Sequence, residues 1–267
     1  MRSLELHEGL ERAAHRAILR RLFYLFVAFL PLLTLACASS EKKPSLSDAQ
    51  LLRQGEEALD DRKYEKAETL LKQFLSEYPA SEWAPRAQLS LGRAYYQDEK
   101  YVEAKGEFQK FLDLHPKHQS ADEAHFYLGL TYFAETDTVD RDQASTQRAL
   151  TEFQTLLKEA PDSRYAKEAK EKIKMCQEKL SGHECFVGRY YFRKGNYQAA
   201  IGRFKSLLSR YPGTPVDEES LYYLGESLYR LKEPGEAARV FLLLLERYPD
   251  SEHKEEVRIR LAGIEGF

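Results

Sequence analysis

The 267-residue chain sets 40 Lys and Arg against 43 Asp and Glu, a formal net charge of −3. Nucleic-acid binding draws on a Lys/Arg footprint that displaces counterions; no basic block stands out after the first 21 positions, so that class is excluded. At 43% hydrophobic the chain is too apolar for disorder, and its 14 Gly and 10 Pro do not suit a sandwich or barrel, whereas 17 Tyr and 14 Phe suit helices packed through aromatic rings.

Arg16, Arg20 and Arg21 precede an unbroken apolar run from Leu22 to Ala36, which ends on small residues before Cys37. A basic segment, a short apolar core and small residues describe a secretory signal peptide, and the run is short of the ~20 residues that a membrane-spanning helix needs. Leu33-Thr34-Leu35-Ala36-Cys37 resembles a bacterial lipobox, with Thr34 where such motifs usually carry Leu. The resemblance implies cleavage before Cys37 and lipidation of its side chain and new N-terminus. Several acyl chains on one residue give stable anchoring, since each buried CH₂ contributes about 0.8 kcal/mol. Ala38 follows in place of an Asp, which points to the periplasmic face of the outer membrane.

From residue 47 onward the chain repeats. Gly55 to Pro79, Gly92 to Pro116, Gly188 to Pro212 and Gly225 to Pro249 are each 24 residues apart. Within them Ala67, Ala104, Ala200 and Ala237 stand 12 after the glycine, and Leu71, Phe108, Phe204 and Phe241 stand 16 after it. A fifth set, Gly129, Ala149, Phe153 and Pro161, carries an eight-residue insertion around Asp140-Arg141-Asp142. The pattern is similar to the tetratricopeptide repeat, an L-G before an aromatic and then A…F…P. Gly and Ala mark the close crossing of two antiparallel helices, Phe or Leu fills the space beside it, and Pro stops the second helix. Ser81, Ser120, Ser163, Thr214 and Ser251 are expected as N-caps of the helices that follow, with Ser120-Ala121-Asp122-Glu123 as a capping box. Between Pro161 and Gly188, AKEAKEKIKMCQEKL reads as an added amphipathic helix.

The predicted fold is therefore all-α, a superhelix of five helix–turn–helix units with a charged C-terminal helix over Glu252–Ala262. The segments are a signal peptide at 1–36, a lipidated N-terminus and linker at 37–46, units 1–3 at 47–163, and the added helix with units 4–5 and the last helix at 164–267. Cys176 and Cys185 are either a disulfide, if the chain turns near Ser181-Gly182, or two packed thiols.

No phosphate loop, nucleophile elbow or zinc-protease motif is present. His115, His118 and His125 lack a completing ligand set, so neither a catalytic nor a metal site is expected, and no cofactor beyond the lipid on Cys37. Function is expected in binding. The first helices of a stacked array line its inner surface, where Arg86, Arg93, Tyr96, Phe126 and Phe133 are expected to form a cationic, aromatic groove. Such a groove suits an extended peptide with aromatic side chains and a free carboxylate.

With the lipobox cysteine, five units, the Asp140-Arg141-Asp142 insertion and the added helix running into VGRYYFRKGNYQAAIGRF, the chain resembles the BamD family of outer-membrane β-barrel assembly lipoproteins. The resemblance implies that the N-terminal units receive the C-terminal signal of unfolded outer-membrane proteins. It further implies that the C-terminal units dock on the periplasmic domains of BamA beside other subunits of the complex, with Arg203 and the Asp140-Arg141-Asp142 insertion at the docking surface. The alternative is a periplasmic tetratricopeptide lipoprotein that coordinates cell division or peptidoglycan processes, although proteins of that kind usually begin with a coiled coil and lack a lipobox.

Overall fold

A computed structural model of the chain describes residues 46–136 and 138–264. The signal segment, the lipobox with Cys37, most of the linker and Asp137 lie outside the described residues. Among the described residues the structure is helical throughout: α1 (Asp48–Asp60), α2 (Tyr64–Glu77), α3 (Ala84–Gln97), α4 (Tyr101–Leu114), α5 (Ala121–Ala134), α6 (Ala144–Glu159), α7 (Ala166–Arg193), α8 (Tyr197–Arg210), α9 (Asp217–Arg230), α10 (Pro234–Arg247) and α11 (Lys254–Ala262). Successive helices pack antiparallel in sequence order, and the predicted five pairs are α1/α2, α3/α4, α5/α6, the second half of α7 with α8, and α9/α10. The last helix begins two residues later than expected.

The repeat glycines act through their missing side chains. A Cβ built on Gly225 would lie 2.4 Å from Phe241 Cε1, and one on Gly92 2.6 Å from Phe108 Cε1. Phe108, Phe153, Phe204 and Phe241 are wholly buried, each laid over the glycine of its own unit. The inner turns of units 1, 2, 4 and 5 each also hold one left-handed residue. Unit 4 supplies Gly195 (φ 75°), while Arg62, Glu99 and Lys232 adopt φ values of 60°, 58° and 60° without that freedom.

The capping expectation is corrected in its details. Ser120 is an N-cap without a side-chain hydrogen bond, and no capping box forms there. The box lies instead at Ser47, which exchanges hydrogen bonds with Gln50 at the head of α1. Ser81, Ser163, Thr214 and Ser251 are not N-caps, those places being held by Trp83, Tyr165, Val216 and His253. Ser81, His118, Ser163 and Ser251 share one repeat position, and each accepts a backbone N–H two residues on, at 3.1–3.2 Å. His118 thus does with Nδ1 what serine does elsewhere, which accounts for a histidine two residues after Pro116. Ser81 and Ser163 also donate to Asp48 and Asp122, tying the end of a unit to the start of its first helix. At Thr214 the Asp217 carboxylate takes over, accepting from the N–H groups of Gly213 and Thr214.

The added helix differs from its expected form. It is one 28-residue helix, continuous through Ser181 and Gly182 into the first helix of unit 4. Its length is twice the 14 residues of α3 or α5, and its register explains why. Ala166 follows Pro161 as Ala84 follows Pro79, and Leu180 precedes Gly188 as Ala84 precedes Gly92. Helix α7 is two first helices fused end to end, with no second helix between them.

Candidate functional site

The continuous α7 decides between the two cysteine alternatives. Nine residues along a helix separate Cys176 from Cys185 by roughly 13 Å, at about 1.5 Å per residue. A disulfide requires Cα atoms within about 7 Å. Both are free, buried thiols, so the disulfide is ruled out. Burial pushes the Cys176 thiol up to about 12, and burial with the nearby Glu219 carboxylate pushes Cys185 up to about 11. Thiolates are the reactive form. Native protein at pH 8 is therefore expected to resist iodoacetamide at both positions, and denatured protein to be labelled at both; rapid native labelling of either would contradict this packing.

The expected groove divides. Phe126 is 3% exposed, stacked on Tyr165 at 4.5 Å and packed on Phe153; it belongs to the core, not to the groove. Arg86 and Arg93 are both paired with glutamates of neighbouring units. Arg86 grips Glu56 of the preceding unit with two hydrogen bonds of 2.7 Å. Arg93 lies 3.6 Å from Glu123 of the next unit and 5.7 Å from the Tyr127 ring. Such pairs align neighbouring units and contribute about 0–1 kcal/mol each. Tyr96 and Phe133 are half-buried. Tyr96 meets Tyr101 and Tyr127 edge-on or tilted at 5.8–5.9 Å. Phe133 is flanked by Lys172 at 4.8 Å and Lys179 at 5.6 Å, both from α7. Tyr96 and Phe133 thus stay half-buried, with cations of α7 beside Phe133, while Arg86 and Arg93 are each paired with a glutamate.

From Thr138 to Gln143 the insertion is a hydrogen-bonded loop. Buried Gln143 donates to the carbonyls of Thr138 and Arg141 at 2.9 and 3.0 Å and accepts from Thr146. Asp142 accepts the Ala144 N–H at the head of α6. The Thr138 hydroxyl holds the Asp140 carboxyl below its usual range. The loop leans on α7: Lys179 donates to Thr136, and the Nδ1–H of His183 meets the Val139 carbonyl at 2.6 Å. Asp140, Arg141 and Asp142, with His183 and Glu184 of α7 and Arg210 and Tyr211 at the end of α8, line a cleft of about 580 Å³.

Arg203 reaches this cleft through a partner. Its guanidinium donates to Glu184 at 3.1 Å and stays 43% exposed. Glu184 and Arg203 occupy the same repeat positions as Gln88 with Glu107 and His125 with Glu152. Sequence reasoning missed Glu184, His183, Gln143 and Lys172. For Glu184 a signal existed: a polar residue four before the repeat glycine recurs in the three middle units, where units 1 and 5 have Leu51 and Leu221.

No helix among the described residues is long and apolar enough to cross a membrane. The family model described as an outer membrane lipoprotein, YfiO, matches residues 44–240. The outer membrane protein assembly factor BamD of Caulobacter vibrioides is 33% identical over 218 residues, 80% of this chain and 72% of that protein. The chain belongs to the BamD (YfiO) family of outer-membrane lipoproteins. BamD of Rickettsia prowazekii is 30% identical over 203 residues, covering 76% and 81%. Among solved structures, the TPR2AB domain of yeast Sti1 aligns over 81% of this chain and 82% of that one, at TM-score 0.43 and 13% identity. A tetratricopeptide protein of Thermus thermophilus aligns over 82% and 98%, at TM-score 0.38 and 18% identity. The match to BamD proteins thus runs through the loop and α7.

Proposed function

We propose that this protein is a non-catalytic assembly factor for outer-membrane β-barrel proteins, held by lipid on Cys37 at the periplasmic face of the outer membrane. Units 1–3 receive the C-terminal segment of unfolded barrel proteins along Tyr96, Phe133 and the lysines of α7. Units 4–5 dock on the periplasmic domains of BamA and meet other subunits of the complex. The observation that carries this reading is the cleft at the joint. There the Asp140-Arg141-Asp142 loop lines the cleft with Glu184, and Glu184 is held by the exposed Arg203; both the loop and Arg203 are expected at a docking surface.

Arg203→Glu sets a carboxylate against Glu184, reversing charge at the proposed contact. Affinity capture from solubilised envelopes is expected to recover a large barrel protein with periplasmic repeats, with roughly tenfold less for the variant, about 1.4 kcal/mol. Equal recovery would remove Arg203 from the interface. Recovery of Tol or peptidoglycan factors in place of the barrel protein would replace the assembly reading with an envelope-coordination role.

A further inference from the structure

The fusion inside α7 leaves one face of unit 4 without its usual cover. In every unit the positions five and two before the repeat glycine, and two after it, form the face turned toward the preceding unit. In unit 2 these are Ala87, Ser90 and Ala94, at most 4% exposed. In units 3 and 5 the middle position is a tyrosine that stacks on the preceding second helix. Tyr127 lies flat on Phe108 at 5.7 Å, and Tyr223 on Phe204 at 6.0 Å.

In unit 4 the same positions are His183, Phe186 and Tyr190. His183 is covered by the Val139 carbonyl of the loop. Phe186 and Tyr190 are 42% and 47% exposed, because the fused helix omits the second helix that would have packed there. Unit 1 is the internal control. Its face also has no preceding unit, and there the chain places Gln50, Arg53 and Glu57, all exposed. With no unit before it, the face at the head of the array is polar. At the joint the same uncovered face is aromatic.

We infer that the Phe186–Tyr190 face of α7 is the seat of an amphipathic helix from a partner protein, which takes the place of the missing second helix and lays a large apolar side chain on Phe186. The template is the chain itself, which covers this face with an α-helix in units 2, 3 and 5. Basic residues set the polarity of that helix. Arg193 and Lys194 are exposed one turn beyond Tyr190, and neither has an ion pair among the described residues, so acidic residues on the partner helix would meet them. Aromatic anchors of this kind dominate the energetics of helix-in-groove interfaces. The proposal does not depend on which complex the chain joins.

The test uses the full lipidated chain in isolated envelopes, with a photo-crosslinking phenylalanine analogue at position 186 or 190 and, as control, at the exposed Lys205. Positions 186 and 190 are one helical turn apart. Both are expected to link to one partner segment, at partner residues three, four or seven apart, and that segment is expected to carry acidic residues toward Arg193 and Lys194. Phe186→Ser with Tyr190→Ser is expected to leave the melting temperature within about 2 °C, since both side chains are exposed. With the analogue then placed at Lys194, crosslinking to that segment is expected to fall at least tenfold. Links to lipid, to a second copy, to residues before 46 of the same chain or to a non-helical segment would each overturn the proposal, as would the absence of a link. If the barrel protein is captured while these positions stay unlinked, only this proposal falls.

Discussion

Phe204→Ala is expected to destabilise the protein by about 3–5 kcal/mol, the usual cost of emptying a wholly buried phenylalanine site. Phe204 lies over Gly188 of α7 and against Tyr223 of α9, so one side chain holds three helices and two units. Since each unit of a repeat array touches only its neighbours, the loss is expected to be felt chiefly in units 4 and 5. At roughly 2–4 °C per kcal/mol for a domain of this size, the melting temperature is expected to fall by about 6–20 °C. A double-mutant cycle isolates the contact. A Cβ on Gly188 would lie 2.7 Å from the Phe204 ring. Gly188→Ala alone then sets about 1–3 kcal/mol of overpacking against about 1 kcal/mol of gained helix propensity. With Phe204 already removed the clash is gone, and the same Gly188→Ala change is expected to stabilise. Additive effects in a thermal or denaturant melt would mean that the two residues do not meet.

The second large effect lies at the far end. Glu226 of α9 is 1% exposed, and its carboxylate takes Arg260 Nε at 2.6 Å and a second guanidinium nitrogen at 3.2 Å. Arg260 is on α11, so this pair fastens the terminal helix to unit 5. Arg260→Met keeps the length and apolar stem of the side chain but leaves the carboxylate buried with, among the described residues, the Arg230 guanidinium at 3.8 Å. Breaking a buried ion pair from one side costs about 3–5 kcal/mol, and Arg230 places this case near the lower end. Adding Glu226→Gln removes the stranded charge and is expected to recover most of the loss. Failure of that second change to rescue the melting temperature would show that the penalty comes from lost packing of α11.

Much of this architecture was written in spacing. Gly, Ala, Phe and Pro at fixed offsets located five helix pairs, because each offset answers a local demand: a gap for a ring, a ring to fill it, and a residue that cannot continue a helix. Side-chain partners were less legible. Arg86 and Arg93 read as a free cationic groove, yet each faces a glutamate thirty residues away. That distance is set by how one unit stacks on the next, not by either helix alone. Phe126 sits one turn before Gly129 and read as groove-facing, but Tyr165, the residue that leads into α7, stacks on it. Ser181-Gly182 read as a possible turn, and the two cysteines as a possible bridge. The register of α7 on both sides carries the helix straight through.

The amino-acid sequence by itself determined the helix pairs, their glycine–phenylalanine crossings, the resemblance to the outer-membrane lipoproteins and the absence of a basic nucleic-acid footprint. All of these depend on residue type and on separations within one unit. The tertiary structure decided which charges are paired, that the thiols stay apart, that the insertion loop and Glu184 line one cleft while Arg203 holds Glu184, and that Phe186 and Tyr190 stay exposed. Those are outcomes of stacking between units, where residues thirty or forty positions apart compete for the same surface.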